Sequence, residues 1–168
     1  HWQQVKQRIA AIDRQVAAHA KADARSVRAQ QLVGVGPLTA DALVASIGNA
    51  HEFTNGRQLA AWLGLTPTQH SSGGKPRLGG ISCRGDNYLR TLLIQGARSA
   101  LITACMARKR GQTLDRTQQW ALALAERKGH NKAVVALANK TARRLWAAEH
   151  HGVGFDPDHL SQREQRAG

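Results

Sequence analysis

The chain has 168 residues, 42% of them hydrophobic, enough to bury one core without help from disulfides or metal. Its 24 Lys and Arg against 11 Asp and Glu give a formal net charge of +13, a field that suits a polyanion and makes nucleic acid the first partner to consider. A membrane is not expected, since no apolar run nears the roughly 20 residues that span a bilayer, and Cys83 and Cys105 form neither a zinc nor a disulfide pattern, which fits a reducing cytoplasm.

The chain opens at His1 inside a helical pattern, which suggests part of a longer protein. From Trp2 to about Gln30 there is no Pro or Gly, and Val5, Ile9, Ile12 and Val16 recur at spacings of four and three, the seam of an amphipathic helix. Residues 1–30 are therefore expected to form a helical arm through which two copies associate. Two heptads do not separate a coiled coil from a helix packed on its own domain.

In Leu32-Val33-Gly34-Val35-Gly36-Pro37-Leu38, two glycines precede a proline at a helix start, and an apolar helix runs on to Ile47. This pattern suits the second half of a helix-hairpin-helix, in which Gly34 and Gly36 let backbone N–H groups approach a phosphate without reading sequence. A plain tight turn fits the same residues. Arg57 to Leu63 has helical periodicity and stops at Gly64. Thr66-Pro67 and the glycines from Gly73 to Gly80 then predict a loop or a short hairpin.

Asp86 can cap a helix whose apolar positions Leu89, Leu92, Leu93, Ala97, Ala100 and Leu101 carry it to about Lys109, before Gly111. Two more helices are expected over Leu114 to Lys128 and Lys132 to Glu149, separated by Gly129. The expected architecture is mostly α: the arm, a main domain over residues 31–150 and a polar, frayed tail over 151–168. His150, His151, Asp156, Asp158 and His159 fit no standard metal spacing. Cys105 and Trp146 fall on apolar faces and read as core.

The segment Ser71-Ser72-Gly73-Gly74-Lys75-Pro76-Arg77 sets small hydroxyls beside cations. A serine attacking a phosphodiester needs such company, since Lys75, Arg77, Arg84 and Arg90 can neutralise charge that builds on the non-bridging oxygens. Serine in a glycine loop is also an ordinary turn former. Arg108-Lys109-Arg110 and Arg143-Arg144 suit phosphate contact and a solvated surface equally. Acidic residues are too scattered to hold two Mg²⁺ ions.

Taken in order, Ala60-Ala61-Trp62-Leu63-Gly64-Leu65-Thr66-Pro67, then Ser71-Ser72-Gly73, then Gly80-Ile81-Ser82-Cys83-Arg84-Gly85-Asp86-Asn87-Tyr88-Leu89-Arg90 resembles the C-terminal domain of the DEDD-type insertion-sequence transposases and the related Piv-type DNA invertases. The resemblance runs from about Leu32 to the helix holding Lys132, Ala133, Ala136 and Trp146. It implies a recombinase in which Ser72, with Ser71 as the alternative, joins covalently to DNA, while Arg84 and Arg90 meet phosphate. It further implies a RuvC-like acidic domain that binds Mg²⁺, a guide (bridge) RNA, and a place beside the bacterial nucleoid. Cys83 departs from the family, which more often has lysine there. Other readings of the residues are a non-catalytic helix-hairpin-helix module, or an RNA-binding domain, which 4% aromatic content makes less apt for base stacking.

Overall fold

The computed structural model describes residues 1–70 and 77–156. Among them lie seven α-helices, a short 3₁₀ turn and one two-stranded sheet, so the chain is mostly helical as its periodicity predicts. The order is α1 (Trp2–Ala22), α2 (Ala24–Ala29), α3 (Pro37–Ile47), the 3₁₀ turn (Ala50–Glu52), α4 (Gly56–Trp62), β1 (Pro67–Gln69), β2 (Leu78–Ile81), α5 (Asn87–Lys109), α6 (Arg116–Lys128) and α7 (His130–His151).

The first expected helix is in fact two. Asp23 leaves helical geometry and its carboxylate accepts the amide of Arg25 at 2.7 Å, ending α1 and starting α2. A short acidic side chain competes for local amides in this way and favours a cap over a helix interior. α2 and the end of α1 pack on the rest of the chain. Ala20, Ser26 and Ala29 are fully buried, and Arg25 and Arg28 of α2 pair with Glu149 of α7 at 2.9 and 3.5 Å. Only the first half of α1 stands off the core, with Trp2, Val5, Ile9 and Ile12 exposed.

The core forms where the long helices meet. α5 buries Leu89, Leu93, Ala97, Leu101 and Ala104, and α7 answers with Val134, Leu137, Ala138, Ala142 and Leu145. The turn before α3 crosses α5 at two glycines. A Cβ on Gly34 would lie 2.7 Å from the backbone of Gly96, and one on Gly96 would lie 1.9 Å from the carbonyl oxygen of Gly34. Gly34 also has φ +81°, a conformation glycine adopts at no steric cost.

Caps fix where the later helices begin. Asp86 caps α5 through the amide of Leu89 at 3.0 Å, as its position predicts. Asp115 and Gln118 form a reciprocal capping box at the start of α6, with bonds of 2.8 and 3.1 Å. Asp115→Ala is expected to cost about 1 kcal/mol, which thermal unfolding would read as a drop of roughly 2–4 °C.

The middle of the chain is a hairpin. β1 and β2 pair antiparallel, Pro67 with Ile81 and Gln69 with Leu78, with an irregular register between them. At the far end, packing continues past the expected start of the tail. Gly152 ends α7 in the left-handed region, and the chain turns so that the amide of Phe155 donates to Gln31 at 2.9 Å while Arg144 sits over its ring. Of the expected tail, residues 157–168 lie outside the described residues.

Candidate nucleic-acid interface

The inward face of α7 is apolar, and its outward face carries Lys132, Ala136, Lys140 and Arg143, which recur at helical spacing. That face is the floor of an open groove of about 2120 Å³. One wall is α6, through Arg116 and Trp120; the other is the start of α4 and the hairpin, through Arg57, Pro67 and Leu78 to Ile81. Val153 to Asp156 border it near the end of α7.

Its charge is one-sided. Arg57, Arg116, Lys132, Lys140, Arg143 and Arg144 line the groove, and among the described residues Asp156 is the one carboxylate in its lining. Lys140 lies 4.3 Å from the centre of the Trp120 ring, and Arg144 donates to the Thr117 hydroxyl at 2.8 Å. Burial lowers the Arg144 pKa from its ordinary value and Asp115 opposes the shift. An arginine keeps its charge under such conditions. A trough of cations with little acid concentrates phosphate, because opposite walls reinforce the same potential.

The hairpin wall leads straight into the serine segment. Thr68 donates from its hydroxyl to the carbonyl of Gly80 at 3.1 Å, and the amide of His70 donates to the carbonyl of Arg77 at 2.8 Å. Residues 71–76 join these two ends, so Ser71, Ser72 and Lys75 lie outside the described residues.

The other expected site residues are placed unevenly. Arg77 and Arg84 are exposed at the hairpin and just beyond it. Arg90 is not: it is 7% exposed, with Nη1 donating to the Leu63 carbonyl at 3.2 Å and Nη2 to Asn87 Oδ1 at 2.8 Å. Direct phosphate contact by Arg90 does not fit that burial. Gly34 is likewise turned onto Gly96, leaving open space only beside Gly36. Neither glycine lines the groove, so the turn and the hairpin are separate features.

Trp146, expected in the core, is half-buried and borders the groove, its indole N–H donating to the Phe53 carbonyl at 2.9 Å. His150 stacks on it at 4.5 Å and lies 4.4 Å from the ring of His51. Burial, then the charges of His51 and His151, push the His150 pKa below its ordinary value. The unfolded chain therefore binds more protons near that value. Stability from this group is full above about pH 6.5 and is lost as pH falls through the folded pKa. His150→Gln should flatten the loss of thermal stability expected of the unaltered protein as pH falls below about 6.5.

Among the described residues, no group of three or more His, Cys, Asp or Glu is placed to hold a metal ion. Among the described residues, no helix is long and apolar enough to cross a membrane.

The model of the IS116/IS110/IS902 transposase family matches residues 27–112, from α2 through the hairpin to the end of α5. The chain belongs to the IS116/IS110/IS902 transposase family. Relatives in this family extend the match into α7. A protein of Pseudomonas aeruginosa described as "probable family 20 transposase" is 51% identical over 145 residues, 86% of this chain and 41% of that protein. The transposase for insertion sequence element IS1111A of Coxiella burnetii is 48% identical over 135 residues, 80% of this chain and 35% of its own length. The transposase for IS1328 of Yersinia enterocolitica is 35% identical over 155 residues, 92% of this chain and 45% of its own length. The chain thus spans between a third and a half of the length of these relatives.

The groove was the feature sequence reasoning missed. Its signal was present in the repeat of Lys132, Ala136, Lys140 and Arg143, but periodicity says only that a helix has a polar face. Which elements wall that face is a long-range fact.

Proposed function

We propose that this chain is the DNA-handling part of an insertion-sequence transposase, and that a serine between β1 and β2 is its nucleophile. The observation that carries this reading is that the cationic groove along α7 shares a wall with the hairpin whose two strands lead into Ser71 and Ser72. Groove cations hold the phosphate backbone and fix its register, a role that needs no base contact.

The Oγ of Ser72, or of Ser71 as the alternative, attacks the phosphorus of a DNA phosphodiester. A serine–phosphate bond forms, the P–O bond to the departing strand breaks, and that strand leaves with its oxygen. Attack by a strand hydroxyl on the phosphoserine reverses the chemistry and frees the serine. One phosphodiester is made for each one broken, so ATP is not required. Arg77 and Arg84 are the exposed arginines beside the hairpin that can meet the non-bridging oxygens.

A free serine hydroxyl is a weak nucleophile and needs a base or metal. We assign that role to a RuvC-like acidic domain carried outside this chain and expected to hold Mg²⁺. The exposed seam of α1, with Val5, Ile9 and Ile12, is the proposed contact between copies. A guide RNA, as the family resemblance implies, would draw on the same positive surface, and the working place is the nucleoid.

The test uses the full-length protein with Mg²⁺, labelled element-end DNA and any guide RNA. A protein–DNA adduct that resists denaturation should form, persist in Ser71→Ala and vanish in Ser72→Ala. An adduct that survives both substitutions sinks the serine reading and leaves a binding module.

A further inference from the structure

We propose that Arg90 is a positioning residue that locks the base of the hairpin, and with it the two strand ends between which the serine segment is strung. This rests on the serine reading for its catalytic consequence, but not for its mechanical part.

The hairpin is short. β1 has three residues and β2 four, and most of them are exposed, so little packing of its own holds it in place. What fixes it must act at its two feet, Leu63 to Thr66 entering and Ser82 to Asp86 leaving. The feet are joined by backbone: the amide of Ser82 donates to the Thr66 carbonyl at 2.8 Å, and that of Cys83 to the Gly64 carbonyl at 3.3 Å. They also touch without side chains. A Cβ on Gly64 would lie 2.1 Å from the Arg84 carbonyl oxygen, and one on Gly85 would lie 1.9 Å from that of Trp62.

One foot is strained. Cys83 has φ +53°, the only positive value among the described non-glycine residues, and a side-chain-bearing residue stays there only when its surroundings over-determine it.

Arg90 supplies that determination from below. It stands in the first turn of α5, four residues after the cap that ends the second foot, and reaches back to the carbonyl of Leu63, which ends α4 and starts the first. Its Nη1 is 2.9 Å from where a Gly64 Cβ would be. The Asn87 amide oxygen holds the other fork at 2.8 Å. A planar guanidinium satisfies both acceptors at a fixed angle, which a lysine ammonium cannot reproduce. Among the described residues no carboxylate is a hydrogen-bond partner of Arg90, and the charge rests on the carbonyl and amide dipoles of the joint itself.

The experiment compares wild type, Arg90→Lys and Asn87→Ala in the full-length protein. Asn87→Ala removes one of the two acceptors that hold the guanidinium, with little change in packing, and so decides the matter if Arg90→Lys does not fold. Amide exchange at Ser82 and Cys83 should quicken about tenfold or more while α5 and α7 amides hold. At saturating DNA, adduct formation should slow roughly ten- to a hundredfold, as a misplaced nucleophile does, with the DNA Kd within about twofold. Unchanged exchange at Ser82 and Cys83 would overturn the proposal. So would a Kd that rises by the same factor as the rate falls, which would make Arg90 a direct phosphate contact. Absence of adduct in the wild type would sink the serine reading alone, and the exchange comparison would still decide the role of Arg90.

Discussion

Gly96→Ala is expected to destabilise the protein by roughly 3 kcal/mol, a direction opposite to the usual one. Inside a helix, glycine is ordinarily worse than alanine by about 0.5–1 kcal/mol, so the substitution would raise stability at most positions. Here the new methyl would lie 1.9 Å from the carbonyl oxygen of Gly34, and a backbone atom cannot rotate aside as a side chain would. The turn before α3 and the middle of α5 would have to part, loosening the packing around Ala97 and Leu93. Thermal unfolding should show a fall of roughly 6–12 °C. Gly36→Ala is the matched control, since nothing lies within 4 Å of its Cβ position and its φ is −89°. A Gly96→Ala protein as stable as the Gly36→Ala protein would mean that the two backbones do not touch.

The second large effect concerns the groove. Arg57, Lys132 and Arg143 are exposed and line it from α4 and from α7. Replacing all three by alanine should lower the slope of log affinity for duplex DNA against log salt by between two and three, about 0.9 for each phosphate that is no longer neutralised. The fall in affinity between about 50 and 200 mM salt should shrink by roughly fortyfold on the same counterion arithmetic. Net charge alone would give the same result wherever the cations were removed. Lys6, Arg8 and Arg14 on α1 are therefore the comparison, an equal loss of three charges outside the groove lining. Equal slopes for the two triple variants would assign binding to the overall field and not to the groove.

How far the sequence led depends on the range of the interactions involved. α5 was legible end to end because its cap, Asp86, its stripe of Leu and Ala, and its stop at Gly111 all act within a few residues. The break at Asp23 was missed since apolar periodicity carries across a single capping residue. Gly34 was legible as a turn but not as one half of a crossing, because its partner lies 62 positions away on α5. The burial of Arg90 was not legible for a related reason. Arginine is mostly exposed, and nothing local in Asp86-Asn87-Tyr88-Leu89-Arg90 reveals that the end of α4 lies above it. The serine segment stood out through motif order, whereas the groove beside it needed α4, α6, α7 and the hairpin to be set around one another.

The joint at the hairpin base bears on how this family can vary. At Gly64 and Gly85 the obstacle to a side chain is a main-chain oxygen, which every amino acid carries. When two side chains collide, a larger residue on one side can be balanced by a smaller one on the other, and descendants record the trade as paired substitutions. Glycine against backbone permits no such trade, for there is no smaller residue to give and no main chain to shrink. Evolution at this joint should leave two invariant columns with no correlation between them, so that this backbone-on-backbone approach is silent in covariation.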